Sequence, residues 1–191
     1  MIELLLLFII ILFIYLYKKQ ENFINNKCDV YLISNKSDIK NQYINKINKI
    51  KIKSNDKVVR FNHSGNPNIF PHKTDIAVFR NNKYNYWGNG KPIWKNLNNK
   101  EVFLLGTNKN TQNVKEELES KNNRVEIINY DKINNKTESS GKIVINHLLN
   151  KNDIDKIYLV GFDFYKGVNN WHNFKNEETF VNNHKNKIIQ L

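Results

Sequence analysis

The sequence predicts an α/β fold of the Rossmann-like type, with a mainly parallel sheet between two layers of helices. Short apolar runs, typical of buried strands, alternate with amphipathic runs typical of helices. In the second half, a predicted helix at 112–120 precedes a strand at 124–128, and a helix at 141–150 precedes a strand at 156–160. Strands separated by helices of this length pair in parallel. We therefore expect a three-layer α/β/α sandwich.

The first half of the chain supplies the remaining predicted elements. Residues 38–47 carry isoleucines and a tyrosine at helical spacing. The predicted strands here are residues 29–34, 57–61, 75–79 and 101–105. Ligands of such sheets bind beyond the carboxyl ends of the strands. The segments that follow residues 33, 61 and 160, and the start of the helix at Ser139, are therefore where we expect a site.

An apolar run over residues 4–17 precedes the predicted domain. A bilayer span needs roughly 17–25 residues, so this run is a marginal transmembrane helix. A cleaved signal peptide would begin with basic residues and end at small ones, and neither feature is present. We therefore predict a membrane protein with a single-pass anchor at residues 1–17, a polar stalk at 18–27 and a folded domain at 28–191.

Three features bear on which side of the membrane holds the predicted domain. Lys18 and Lys19 follow the apolar run, which favours a cytosolic domain by the positive-inside rule. The single cysteine, Cys28, agrees because no internal disulfide can form. Three Asn-x-Ser/Thr sequons would instead favour a lumenal domain. The sequence therefore predicts the membrane and leaves its side open.

The net charge of +12 is large enough to raise the question of nucleic-acid binding. The lysines, however, are spread along the whole chain among asparagines and isoleucines, three residues that share A/T-rich codons. No stripe of arginine and aromatic residues and no known nucleic-acid module occurs. We interpret the excess as dispersed surface charge and expect no nucleic-acid partner.

The stretch TESSGKIVINHLL, residues 137–149, resembles the start of a helix that could hold an anion. Two hydroxyls and a glycine precede an apolar run, so unpaired backbone N–H groups and the positive end of the helix dipole could point at a phosphate. The simpler interpretation is that Ser139 or Ser140 only caps the helix. On this segment alone both interpretations stay open.

Other sites are disfavoured by spacing. Gly141 and Lys142 lack the upstream glycine and the following Ser/Thr of a nucleotide-binding P-loop. Asp153 and Asp155 have the Asp-x-Asp form of metal-dependent sugar transferases, but they precede a strand instead of following one. The five histidines are scattered and lack the spacing of zinc ligands. We therefore expect no metal site.

Three segments in a fixed order carry a family resemblance. They are VVRFN at 58–62, SSG at 139–141 continuing to GF at 161–162, and His172 with four residues before Glu177. Together they resemble the large, small and very small sialylmotifs of the sialyltransferases of glycosyltransferase family 29. The resemblance covers residues 28–181, nearly the whole predicted domain.

The resemblance implies a GT-A-like variant of the Rossmann-like fold and a glycosyltransferase activity. Such an enzyme transfers sialic acid or a related ulosonic sugar from a CMP-activated donor to a glycan hydroxyl, with inversion and without a metal or other cofactor. The residues that would bind the CMP-sugar, by position in the motifs, are Asn35, Asn62, Ser139, Ser140, Gly141 and Gly161. The family resemblance also favours the Golgi lumen for the domain.

The catalytic residues implied by the resemblance are His172 and Glu177. His172 would be the general base for the acceptor hydroxyl, because an imidazole with a pKa near neutral can accept that proton. Glu177 would orient the ring of His172. This single base suffices for one in-line displacement at the anomeric carbon, and helix N–H groups would stabilise the departing phosphate.

The chain departs from the family pattern at two places, and these leave a second hypothesis open. The glycines usual after the first strand are replaced by residues 34–37, Ser-Asn-Lys-Ser. The family's disulfide cannot form, because Cys28 has no partner. The alternative is therefore a non-catalytic binding or scaffold protein that keeps the fold and is anchored to a membrane.

Overall fold

The computed structural model describes residues 2–25, 27–34, 52–61, 74–80, 86–87, 91–92, 97–106, 109–130, 138–162 and 174–191. The strands, in chain order, are β1 (Cys28–Ile33), β2 (Lys57–Phe61), β3 (Ile76–Arg80), β4 (Tyr86–Trp87), β5 (Lys91–Pro92), β6 (Glu101–Leu105), β7 (Arg124–Ile128), β8 (Ile154–Val160) and β9 (Ile188–Gln190). The helices in these ranges are α1 (Ile2–Asn25), α2 (Lys109–Glu119), α3 (Ser140–Leu149) and α4 (Phe174–Asn183).

Seven strands form one sheet in the order β7-β6-β3-β2-β1-β8-β9, and every neighbouring pair in it is parallel. The chain therefore runs outward from β1 through β2, β3, β6 and β7, and then returns to the other side of β1 with β8 and β9. β4 and β5 form a separate antiparallel pair. The predicted α/β fold with a mainly parallel sheet is confirmed.

Helices cover both faces of the sheet. Alternate residues of a strand point to opposite faces of the sheet. Neighbouring residues of β6 therefore belong to two different apolar clusters. Phe103 belongs to the apolar cluster that includes Ile143 of α3 and Val181 of α4. Leu104 belongs to a second cluster, with Leu118 of α2. Because the central strands are buried on both faces, their sequences are nearly continuously apolar. This apolar character allowed the strands to be predicted from the sequence.

The predicted elements agree with the observed ones to within a few residues where the structure describes them. β8 begins at Ile154, two residues before its predicted start, and α3 begins at Ser140, one residue earlier than predicted. The short strands β4, β5 and β9 were not predicted, because two or three residues are too few to show a period. The predicted helix at 38–47 lies outside the described residues.

A buried carboxylate joins the amino ends of β1 and β2. Asp56 is only 2% exposed, and its two oxygens accept the N–H groups of Asp29 (3.1 Å) and Lys53 (2.8 Å). The carboxylate of Asp29 in turn accepts the N–H of Lys156, at 3.2 Å, from β8. Burial, and next the charge of Asp56, raises the pKa of Asp29. Strands β1, β2 and β8 are thus aligned at this edge by side-chain caps.

Helix α1 contains the predicted anchor and extends beyond it to Asn25, so most of the predicted stalk is helical. Among the helices in the described part of the chain, none combines the length and the apolar character needed to cross a membrane. The predicted transmembrane helix therefore has no support here. The predicted membrane localisation stays a prediction.

The carboxylate of Glu126 on β7 contacts two side chains at the carboxyl end of α3. His147 Nε2 lies 3.1 Å from Glu126 Oε1 on β7, and Lys151 Nζ lies 2.8 Å from Glu126 Oε2. The His147 ring also meets the ring of Phe103 edge-on, with centroids 5.2 Å apart. Burial lowers the pKa of His147, with Glu126 acting in the opposite direction.

We expect His147 to make the protein less stable as the pH falls below its ordinary pKa of about 6.5. The folded state keeps His147 neutral to a lower pH than the unfolded state does, so the unfolded chain binds more protons in that window. Urea unfolding at pH 7.5 and 5 should show a steeper loss for the wild type than for His147→Gln, by at most about 1.4 kcal/mol per pH unit.

The matched control is Asn146→Ala, at the exposed neighbouring position of α3. This variant should keep the wild-type dependence on pH. If His147→Gln and the wild type lose stability in parallel between pH 7.5 and 5, the assignment of the effect to His147 is wrong.

Candidate functional site

The order of the strands reverses between β1 and β8, with five strands on one side of this point and two on the other. The residues just after these two strands are joined directly. Ser34 donates its N–H to the carbonyl of Val160 (3.0 Å) and its hydroxyl to the carbonyl of Gly161 (2.7 Å). Gly161 has φ of +71°, which favours glycine. A reversal of this kind opens a crevice beyond the carboxyl ends of the strands, where ligands of open α/β sheets bind.

The start of α3 lies beside the end of β8. Ser139 is the N-cap of α3, with extended backbone (φ −63°, ψ 152°), and its hydroxyl accepts the N–H of Lys142 at 3.1 Å. A Cβ atom on Gly141 would lie only 2.7 Å from Cε1 of Phe162, which follows β8. The absence of a side chain at Gly141 is therefore what lets the first turn of α3 approach this ring.

The end of β2 also lies beside Phe162. The rings of Phe61 and Phe162 meet edge-on with centroids 6.0 Å apart. Phe61 belongs to the segment that resembles the large sialylmotif, and Gly141 and Phe162 belong to the segment that resembles the small one. The fold thus brings together segments separated by about half of the chain.

Glu177, in the first turn of α4, binds the N-cap of α3. Its side chain is only 4% exposed. One carboxylate oxygen accepts the Ser139 N–H at 2.8 Å, and the other accepts the Ser139 hydroxyl at 2.6 Å. A carboxylate at this position also interacts favourably with the positive end of the α3 dipole. Glu177 therefore holds the starts of α3 and α4 together.

Because Glu177 binds Ser139 at the N-cap, fewer hydrogen-bond donors remain for a ligand at the start of α3. Both donors of Ser139 are used by Glu177. The N–H groups of Ser140 and Gly141 lie in the first turn of α3, where helix geometry provides no partner within the helix. An external anion at this helix start would therefore meet Ser140 and Gly141 first.

Arg80, at the end of β3, is a neighbour that the sequence did not single out. It donates from Nη2 to the carbonyl of Glu138 at 2.6 Å, just before the α3 cap. Its guanidinium lies 4.9 Å from the centroid of the Tyr130 ring. Burial lowers the pKa of Arg80, and the charges of Tyr130 and Glu177 oppose that shift. The signal in the sequence was a single arginine ending the apolar strand IAVFR.

Two further contacts add charge around the start of α3. Lys142 and Glu138 form an ion pair, and Lys142 Nζ lies 5.4 Å from the centroid of the Phe180 ring on α4. Both lysine and glutamate of this pair are largely shielded from water, with 20% and 27% of their side chains exposed. Together with Arg80 and Glu177, they place two cations and two anions near the start of α3, of which Lys142 and Glu138 form an ion pair.

The structure describes five of the predicted site residues: Ser139, Ser140, Gly141, Gly161 and Glu177. All of them belong to the carboxyl edge of the sheet or to the helix starts beside it. The other three predicted residues lie outside the described ranges, namely Asn35, Asn62 and His172. The predicted pairing of His172 with Glu177 therefore stays a prediction, and the described contacts of Glu177 are with Ser139.

No group of three or more histidine, cysteine, aspartate or glutamate side chains within the described ranges has an arrangement suited to a metal. The predicted independence of metal stays a prediction.

No protein-family model matches this chain, and no curated protein matches it either. The resemblance to family 29 sialyltransferases therefore depends on the short motifs and their order in the sequence.

Proposed function

We propose that the protein is a sialyltransferase-like glycosyltransferase of GT-A-like architecture, which transfers sialic acid or a related ulosonic sugar from a CMP-activated donor to a glycan hydroxyl. The observation that carries the proposal is the convergence of the β1/β8 crevice with the start of α3. Ser34 and Gly161 meet at the crevice, and Gly141 packs against Phe162 beside it. The described parts of the segments with family resemblance, namely Phe61, Gly141 and Phe162, support this proposal by lying next to one another.

The phosphate of the donor would bind at the start of α3. The N–H groups of Ser140 and Gly141 and the helix dipole favour an anion there. Lys142 and Arg80 add positive charge nearby, although each already has an anionic or carbonyl partner. These groups would stabilise the charge that develops on the phosphate as CMP leaves, without a metal ion.

The transfer itself would be a single inverting displacement. The acceptor hydroxyl loses its proton to His172, and the acceptor oxygen attacks the anomeric carbon of the sugar. The bond between that carbon and the phosphate oxygen breaks, and CMP departs with the electron pair. Asn35 and Asn62 would contact the nucleotide, as the family resemblance implies.

The alternative, a non-catalytic binding or scaffold protein, is favoured by one observation. Glu177 uses both donors of Ser139, so a negative group of the protein already occupies part of the proposed phosphate site. A protein that had lost the reaction would tolerate such a self-capped helix. The two hypotheses differ in turnover, not in fold.

We expect CMP to raise the melting temperature of the protein. A ligand that binds only the native state stabilises it by RT ln(1 + [L]/Kd), about 2.7 kcal/mol at a hundred times Kd. The measurement is thermal unfolding with CMP, with AMP as the control nucleotide. Ser140→Pro, which removes one N–H from the first turn of α3 at a position that tolerates proline, should weaken the CMP effect.

Turnover separates the enzyme from the scaffold. We expect CMP release from CMP-sialic acid in the presence of glycan acceptors, and loss of that release in His172→Ala with CMP binding retained. Binding without release from any acceptor would favour the scaffold hypothesis. No stabilisation by CMP would contradict the transferase hypothesis and favour the scaffold hypothesis, since a ligand that binds the native state must stabilise it.

A further inference from the structure

Helix α1 carries a continuous apolar surface. Residues 7–17 are all large apolar or aromatic side chains, and each keeps between 40% and 70% of its surface exposed. Successive residues of a helix are about 100° apart, so this stretch covers the whole circumference for about three turns. We call residues 7–17 the apolar sleeve.

The apolar sleeve is apolar on every side of the helix, and this determines which kind of partner can cover it. A helix that packs on another protein surface buries a stripe of roughly 100° or somewhat more, with polar residues on the opposite side. The apolar sleeve has no polar side, so a second copy of the chain or a partner helix would leave most of it in water. Lipid chains surround a helix from every direction, and they cover such a surface fully.

The residues at the end of the apolar sleeve match the boundary of a bilayer. Tyr15 and Tyr17 are 61% and 65% exposed, and tyrosine is enriched at the level of the lipid headgroups. Lys18 follows directly and is also exposed. The chain carries a net charge of +12, which attracts it to anionic lipid surfaces. The residues of α1 therefore change from apolar to charged within one turn of the helix.

The length of the apolar sleeve determines how deep it reaches. The apolar run continues in the sequence from residue 7 back to Leu4, and at 1.5 Å per residue residues 4–17 extend about 21 Å, less than the roughly 30 Å hydrocarbon core. We propose that the apolar sleeve inserts into a lipid bilayer that contains anionic lipid, with Lys18 at the headgroups, and does not cross it. The inference depends on the exposure of α1 alone and is independent of the proposed transferase activity.

The test measures binding of the full chain to phosphatidylcholine vesicles with and without phosphatidylglycerol, by flotation. We expect binding to both, and stronger binding with the anionic lipid. Ile11→Lys, at the middle of the apolar sleeve, should weaken binding about a hundred-fold, since a lysine is costly in hydrocarbon. The matched control is Asn113→Lys, an added lysine at an exposed position of α2, which should bind at least as well as the wild type.

Covering of the apolar sleeve by lipid and covering by a second copy of the chain give different results in this test. Equal vesicle binding by the wild type and Ile11→Lys overturns the proposal. So does the absence of vesicle binding together with a dimer, seen by analytical ultracentrifugation without lipid, that Ile11→Lys dissociates. Tags before and after α1 that are accessible from the same side of the vesicle support insertion without crossing, and tags on opposite sides overturn it. CMP stabilisation of the Ile11→Lys variant is expected to be unchanged, which keeps the two proposals separable.

Discussion

Replacing Glu177 by alanine is expected to lower the free energy of unfolding by about 3 kcal/mol. The buried carboxylate accepts two hydrogen bonds from Ser139, and hydrogen bonds to a charged group contribute about 1.5–3 kcal/mol each. The substitution also leaves the N–H at the α3 cap without its partner, which adds a desolvation penalty. Urea unfolding of Glu177→Ala against the wild type measures the loss.

Glu178 provides the matched control for this prediction. It is the next residue of α4, has the same side chain and is exposed. Glu178→Ala should change stability by no more than about 0.5 kcal/mol. Similar losses in both variants would show that the effect comes from helix charge and not from the bond to Ser139. A double-mutant cycle with Ser139→Ala isolates the pair, because coupled residues are not additive.

Gly141→Ala is expected to cost about 2 kcal/mol of stability and to weaken CMP binding. The new Cβ would lie 2.7 Å from Cε1 of Phe162, which is too close, so the ring or the first turn of α3 must move. Overpacking of this kind costs about 1–3 kcal/mol, partly offset by the better helix propensity of alanine. Urea unfolding measures the first effect and the CMP-dependent melting shift measures the second.

A smaller side chain at position 162 tests the cause. Phe162→Leu removes the ring that the new methyl group would meet, so Gly141→Ala should cost less in that background than in the wild type. Equal costs in the two backgrounds would place the strain elsewhere. Unchanged CMP binding by a destabilised Gly141→Ala would separate the packing of α3 from the proposed donor site.

The sheet was predictable because its strands are buried on both faces. Runs such as IAVFR and EVFLL are apolar at four of five positions, and the predicted helices of the second half have the length of parallel connections. The order of the strands was not specified by these runs, since every apolar strand could pair with any other. The point between β1 and β8 at which the strand order reverses, where ligands of open α/β sheets bind, became known only from the tertiary structure.

The start of α3 was predictable in a different way. Ser139 carries the local signature of an N-cap, and the structure gives it that role through its bond to the N–H of Lys142. The sequence could not say whether a ligand or another part of the chain would complete the cap. Glu177 is 38 residues away in sequence, and no periodicity links two residues at that distance. Arg80 was missed for the same reason.

Local periodicity and composition thus determined the α/β class, the positions of the main strands and of helices α2 and α3, and Ser139 as a helix start; α4 was not predicted. These depend on backbone geometry and on burial, which act over a few residues. Tertiary structure alone decided that Glu177 caps α3, that Phe162 lies against Gly141, and that Ser34 meets Gly161. Those contacts join segments far apart in the chain, and they form only when packing of the whole sheet and its helices brings the segments together.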